Sequence, residues 1–264
     1  MTNFPQVVGI LNVTPDSFSD GGEHYQGDKA VDFALKMIDH GADIIDIGGE
    51  STKPGAESID TETEIQRVIP VIKKIKNIQP QIKISVDTTK YEVARTALDL
   101  GCNMINDVSC LRKQPRLAEL AGQYDVPIIL MHSRENPKTM QQSPHYNNLW
   151  DELLGELRTS IESAKKSGAT KIIADPGIGF AKSFENNLEI LKNFDRLYQL
   201  NVPLLLGLSR KSFIGKMLGI DVPSERDFAT VIIHSLLLKY KIEYIRVHNT
   251  GMTRQLKMIC EALD

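Results

Sequence analysis

Three cysteines, Cys102, Cys110 and Cys260, are too few and too scattered for a disulfide framework in a chain of 264 residues. Their odd number, with no Cys-x-x-Cys spacing, predicts reduced structural thiols and a reducing compartment, and it excludes a zinc ribbon. No apolar run approaches the about 20 residues that span a bilayer, and the first residues lack a basic stretch ahead of an apolar one. A cytoplasmic location without a membrane partner is the expectation. Neither sign of charge dominates, since 31 Lys+Arg stand against 34 Asp+Glu, and the missing basic excess argues against a nucleic-acid partner. Any anionic ligand must then be met by a few placed cations. No Ser/Gly-rich or like-charge linker divides the chain, which predicts one domain over residues 1–264, and about 250 residues suit a single α/β barrel.

What the chain does have is alternation. Eight short apolar runs, at 7–11, 44–47, 82–86, 104–106, 128–131, 172–174, 204–206 and 244–247, read as strands. Between them lie amphipathic stretches, clearest in Ile65, Val68, Ile69, Ile72 and Ile75 and in Leu149, Leu153, Leu157, Ile161 and Ala164. Thr61 with Glu64 has the form of a capping box, and Gly41, Gly101, Gly122 and Gly168 stand where left-handed helix ends are expected. Eight strand-helix units favour a closed (β/α)8 TIM barrel over an open sheet, with long loops after the first strands. Trp150, His40 and His145 read as structural or surface residues. The stripe Phe228, Val231, Ile232, Leu236 and Leu237 suits a core face and a dimer face equally well.

Active sites of such barrels form at the C-terminal strand ends. Here those ends carry Asn12, Gly48-Gly49-Glu50, Asp87, Asn106-Asp107, His132, Asp175, Ser209-Arg210-Lys211 and Arg246 with His248. Any one Asp or Asn is as readily a helix cap as a ligand group, but nearly every strand ends this way. Asp87, Asn106 and Asp175 offer carboxylates and an amide, which suit the N–H edge of an amino-pyrimidine-type heterocycle. Lys211, Arg246 and His248, with Asn12 as a neutral oxygen ligand, suit an anionic phosphate and its Mg2+. Met131 serves barrel packing or the heterocycle equally well.

Seven segments, in order along the chain, carry a resemblance. They are Asn12-Val13-Thr14-Pro15-Asp16-Ser17-Phe18-Ser19-Asp20-Gly21-Gly22, Gly48-Gly49-Glu50-Ser51-Thr52-Lys53-Pro54-Gly55, Ser85-Val86-Asp87-Thr88, Ile105-Asn106-Asp107, Asp175-Pro176-Gly177-Ile178-Gly179-Phe180, Ser209-Arg210-Lys211-Ser212-Phe213 and Arg246-Val247-His248. Together they resemble dihydropteroate synthase. The resemblance implies a folate-pathway transferase that joins 6-hydroxymethyl-7,8-dihydropterin diphosphate to 4-aminobenzoate with release of pyrophosphate. It implies Asp87, Asn106, Asp175 and Lys211 as pterin contacts, with Asp87, Asp175 and Lys211 acting in catalysis and Arg246 packing on the ring. It implies Asn12 as a Mg2+ ligand and Thr52, Lys53 and His248 at the diphosphate. Phe18, Pro54, Phe180 and Ser212 would shape the aminobenzoate pocket, and the molecule would be a homodimer.

The chain departs from the family pattern at two positions. Lys53 stands where Arg is usual, which gives a point charge in place of a planar fork, and Asn249 stands where Asp is usual. Two other functions share much of the pattern: a pterin module presenting a methyl group to a corrinoid protein, and a paralogue that binds pterin without turnover. The Ser51–Gly55 and Ser209–Ser212 segments favour the synthase.

Overall fold

The computed structural model describes residues 4–14, 23–51, 56–134 and 145–263. Among them, eight strands pair in parallel: β1 (Gln6–Asn12), β2 (Ile44–Gly48), β3 (Lys83–Asp87), β4 (Met104–Asp107), β5 (Ile128–Met131), β6 (Ile172–Asp175), β7 (Leu205–Leu206) and β8 (Tyr244–Val247). The sheet runs from β6 through β1 to β8 and β7, and a parallel bridge from Ala174 to Leu204 joins its two ends. The expected barrel is therefore what forms, with each strand within a residue or two of its apolar run. α-Helices α1 (Glu23–Asp39), α2 (Thr61–Ile78), α3 (Tyr91–Asp99), α4 (Leu117–Gln123), α5 (Leu149–Lys166), α6 (Phe184–Lys192), α7 (Ser212–Leu218), α8 (Asp227–Leu237) and α9 (Thr250–Leu263) surround it. None of the helices is long and apolar enough to cross a membrane, among the described residues.

Strand side chains alternate between the barrel interior and the helix layer. The outward set packs with the helices into the large core, which includes Val68, Ile72 and Ile75 of α2 and Leu153, Leu157, Ile161 and Ala164 of α5. Trp150 is buried with that face and donates its indole N–H to Glu189 Oε1 at 3.1 Å. Inside the barrel a smaller apolar layer closes the lower end, built from Val8, Ile44, Met104, Ile129, Ile173 and Leu205 with Tyr244 against it. Two residues further along the same strands the interior turns polar, with Asp46, Asn106, Asp175 and Arg246. This layering puts all the interior charge at one mouth.

Two local expectations need correction. The cap of α2 is Asp60, whose carboxylate accepts from Thr63 N at 2.7 Å. Glu64, expected to close a box with Thr61, is instead buried against Lys90. Gly41, Gly101 and Gly168 are left-handed as expected, but Gly122 is not. It is glycine because a Cβ there would lie 2.5 Å from the Gly168 carbonyl oxygen; Asp125 makes the left-handed turn instead, at φ 52°. Cys102 and Cys110 are buried thiols pushed up to about 12 by burial, and all three cysteines are free.

Candidate active site

Register decides which polar residues meet. Asp46 on β2 lies level with Ser85 on β3 and Ile10 on β1, while Asp87 lies level with both Gly48 and Asn106. Asp46 therefore sits one layer below Asp87, and the two carboxylates share one cation. Arg246 donates from Nε to Asp46 Oδ2 at 2.6 Å and from Nη2 to Asp87 Oδ2 at 2.7 Å. Asn106 Nδ2 donates to the same Asp46 oxygen at 2.9 Å. Asp46 is fully buried and its role is to hold Arg246 and Asn106 in fixed orientations from beneath.

Across the mouth, Asp175 Oδ1 accepts from Gly177 N at 2.7 Å, which fixes its carboxylate plane. Gly177 has φ +66°, and a Cβ there would fall 1.9 Å from the His132 carbonyl oxygen, so this turn admits only glycine. Lys211, the residue before α7, places its ammonium 3.8 Å from the centre of the Phe180 ring. Phe180 groups with Met131, Ala181 and Val108 in an apolar patch. Met131 is thus part of that patch and not of the barrel floor, where Ile129 is its strand's contribution.

The electrostatics follow from burial. Asp87 is raised well above the usual carboxylate range by burial and by the Asp46 charge beneath it, with Arg246 opposing. Asp175 is raised to about 6 by burial, against the pull of the Gly177 N–H, Lys211, Arg246 and Lys182. Lys211 is lowered to about 7 by burial and by Arg246, with Asp175 and Asp87 opposing. His248 shares a 3.0 Å hydrogen bond with Ser209 Oγ and is lowered to about 3 by burial and by Arg210, Arg246 and Lys211, so it is neutral at physiological pH. Asp87 Oδ1, Asn106 Oδ1 and Asp175 Oδ2 hydrogen-bond to no described residue. The mouth therefore presents three acceptor oxygens beside two cations, which is a complement to a planar heterocycle with several N–H donors.

Of the residues singled out by sequence, the structure brings Asp87, Asn106, Asp175, Lys211, Arg246 and Phe180 to this mouth. Asn12 ends β1 and His248 follows β8 at the same rim, and Ser212 is exposed on the first turn of α7. Phe18, Thr52, Lys53 and Pro54 lie outside the described residues. Asn249 Oδ1 accepts from Met252 N at 3.0 Å, which caps the start of α9, and its Nδ2 donates to Asp227 Oδ2 at 3.0 Å. Because Asp227 already pairs with Arg210, an amide suits this place where a second carboxylate would repel. Sequence reading missed Asp46 and Lys182. The only signal for Asp46 was a charge inside an apolar strand at an inward position.

An α/β barrel whose charged residues are confined to one mouth, with acceptors for a flat heterocycle and cations beside them, defines the class. Comparison with known proteins narrows it. A family profile described as pterin binding enzyme matches residues 8–248. The dihydropteroate synthase of Clostridium beijerinckii is 45% identical over 247 residues, covering 92% of this chain and 88% of its own. The crystal structure of the Xanthomonas albilineans dihydropteroate synthase with 4-aminobenzoic acid superimposes with a TM-score of 0.90 at 40% identity, covering 98% of this chain and 93% of that one. The Clostridium difficile dihydropteroate synthase, solved in the presence of pteroic acid, gives 0.91 at 42% identity, with 98% and 96% covered. The chain belongs to the pterin-binding enzymes.

Proposed function

We propose that the barrel mouth carries out the dihydropteroate synthase reaction, in which 6-hydroxymethyl-7,8-dihydropterin diphosphate and 4-aminobenzoate give 7,8-dihydropteroate and pyrophosphate. The observation that carries this reading is the set of three acceptor oxygens on Asp87, Asn106 and Asp175 that bond to no described residue and stand beside the cations Lys211 and Arg246. A dihydropterin supplies the N–H edge for those acceptors, and Lys211 meets its ring oxygen or nitrogen acceptors. Relatives solved with 4-aminobenzoic acid and in complex with 7,8-dihydropteroate support the same substrate and product.

The bond that breaks joins the exocyclic methylene of the pterin to the diphosphate oxygen. The electron pair leaves with pyrophosphate, positive charge spreads over the ring, and the aminobenzoate nitrogen then bonds to the methylene and loses a proton. Asp87 and Asp175 stabilise the ring charge because they are held beside it before it forms. Burial makes both ionise reluctantly, so a cationic ring gains more from them than a neutral one. Phe180, buried beneath Lys211, offers the apolar wall for the benzoate ring, with Ser212 at its rim. No side-chain nucleophile is required.

The Asn12 side chain hydrogen-bonds to no described residue at the end of β1, and no group of three His, Cys, Asp or Glu side chains that could hold a metal occurs among the described residues. That donor set fits a Mg2+ brought in by the diphosphate, with Asn12 as one neutral ligand, and not a resident all-protein site. When bound, Mg2+ would neutralise charge on the departing pyrophosphate. His248 and Arg246 stand on the same rim and would meet the diphosphate, as would Thr52 and Lys53. A cytoplasmic, homodimeric enzyme of one domain is our reading; Phe228, Ile232 and Leu236 on α8 are exposed, as a contact between two copies requires.

The test is pyrophosphate release with the pterin diphosphate, Mg2+ and 4-aminobenzoate. Asp175→Asn keeps the shape but removes the charge, and a loss of about a hundredfold or more is expected, the range seen when one transition-state charge contact is removed. Release that does not need 4-aminobenzoate, or that survives in the variant, would refute the assignment. Pterin binding without release would favour the silent paralogue, and methyl transfer to a corrinoid protein the methyl-carrier module.

A further inference from the structure

Behind Asp175 lies a second charged cluster that the reaction above does not use. Lys182 is buried, yet its ammonium hydrogen-bonds to no carboxylate among the described residues. Its Nζ donates to His132 Nδ1 at 3.0 Å and to the Phe180 carbonyl at 3.1 Å, with the His132 carbonyl at 3.5 Å. Since the ammonium is only a donor, His132 must accept on Nδ1 and carry its proton on Nε2, which reaches Glu156 Oε2 at 3.0 Å. Arg134 Nε closes the row on Glu156 Oε1 at 2.9 Å. The ammonium lies directly beneath the Asp175–Gly177 turn, because a Cβ on Gly177 would stand 3.4 Å from Nζ. His132 N also donates to the Asp175 carbonyl at 2.9 Å.

A buried cation is costly unless its charge does something. The charged groups that act on Lys182 are Asp175 and Glu156, favourably, and Arg134 and Lys211, unfavourably. Those that act on Asp175 are Lys211, Arg246 and Lys182. We propose that Lys182 is a positioning residue for the pterin site: its buried ammonium keeps Asp175 ionised from below and, through the Phe180 carbonyl, fixes the turn that carries both Asp175 and the Phe180 ring. The proposal rests on the synthase reading, which pyrophosphate release by the wild-type chain tests separately and first.

The sign of the pH effect follows. Asp175 must be a carboxylate to accept from the pterin, so removing the cation raises the pH at which binding sets in. Burial lowers Lys182 itself to about 7, so its help is largest on the acid side of that value and fades above it. The experiment measures the dissociation constant of 6-hydroxymethylpterin from pH 5.5 to 8 by its fluorescence, for wild type and Lys182→Met. A shift of about one pH unit in the midpoint gives a ratio of constants near fivefold at pH 6, falling below twofold at pH 8. A loss that is the same at every pH would show a purely structural lysine and overturn the proposal, as would no loss. Should Lys182→Met not fold, Glu156→Gln on the exposed side of the row keeps the test. It should give a smaller loss, about twofold, with the same convergence by pH 8, and a flat or absent loss overturns the proposal there too.

Discussion

Asp46→Asn is the sharpest probe of how the mouth is held. One oxygen of Asp46 takes both the Arg246 Nε–H and the Asn106 amide, and the other has no partner among the described residues. Asparagine keeps a single acceptor and turns a donor toward one of two donors. Breaking a buried ion pair outright costs about 3–5 kcal/mol, but Arg246 keeps Asp87 and the new side chain keeps one bond, so about 2–3 kcal/mol is expected. For a protein of this size that lowers the thermal midpoint by about 5–10 °C, read by far-UV circular dichroism at pH 7. Pterin affinity should fall with it, because Arg246 and Asn106 lose the group that orients them, although Asp46 never reaches the ligand. A midpoint within about 1 °C of wild type together with unaltered pterin binding would refute the account of Asp46 as the support beneath the site.

Two further outcomes test the fold. His234 is buried with neither ring nitrogen hydrogen-bonded to a described residue, and burial lowers it to about 4. Its neutral ring therefore supports folding above pH 6.5, and that support is lost as pH falls toward 4. His234→Leu should gain on wild type by about 2 kcal/mol more at pH 5 than at pH 7, in paired urea titrations; an equal gain at both pH values would contradict the assignment. Lys90 bridges Glu50 and the buried Glu64, and Glu50 also accepts from Ile59 N. Lys90→Met should cost about 3 kcal/mol, and adding Glu64→Leu should recover at least half of it; no recovery would mean that the orphaned charge was not the cause.

The barrel was legible because an eight-fold alternation of apolar runs and helical periods has few other solutions, and because strand ends in that fold are functional by construction. Asp87, Asn106, Asp175, Lys211 and Arg246 could be read from strand ends alone. Asp46 could not, since it lies two residues before the end of β2 within an apolar run, and its partners come from β4 and β8, 60 and 200 residues away. Lys182 was hidden for a different reason. A lysine in a polar turn after Phe180 looks solvated, and only the packing of His132 and the turn over it shows that it is buried. The misplaced cap at Thr61 has a local cause: Asp60 and Thr61 are both competent caps, and the chain used the carboxylate, which freed Glu64 for Lys90. Gly122 was read as a turn residue, whereas its role is the close approach of the Gly168 backbone.

Taken with Lys182, the mouth sets three carboxylates, Asp46, Asp87 and Asp175, against three cations, Arg246, Lys211 and Lys182. Balance of charge does not make the groups equivalent. Asp46 is committed to Arg246 and Asn106 and cannot turn to a ligand, whereas Asp87 and Asp175 each keep an open oxygen. Burial raises those two and lowers Lys211 and Lys182, so each of these groups holds its charge weakly. A bound ring that becomes positive reverses this for both carboxylates at once, because each gains an opposite charge in a poorly screened space. On the proposed reading, the preference is therefore for the ring as charge develops over the ring at rest, and that difference would accelerate the carbon–oxygen cleavage.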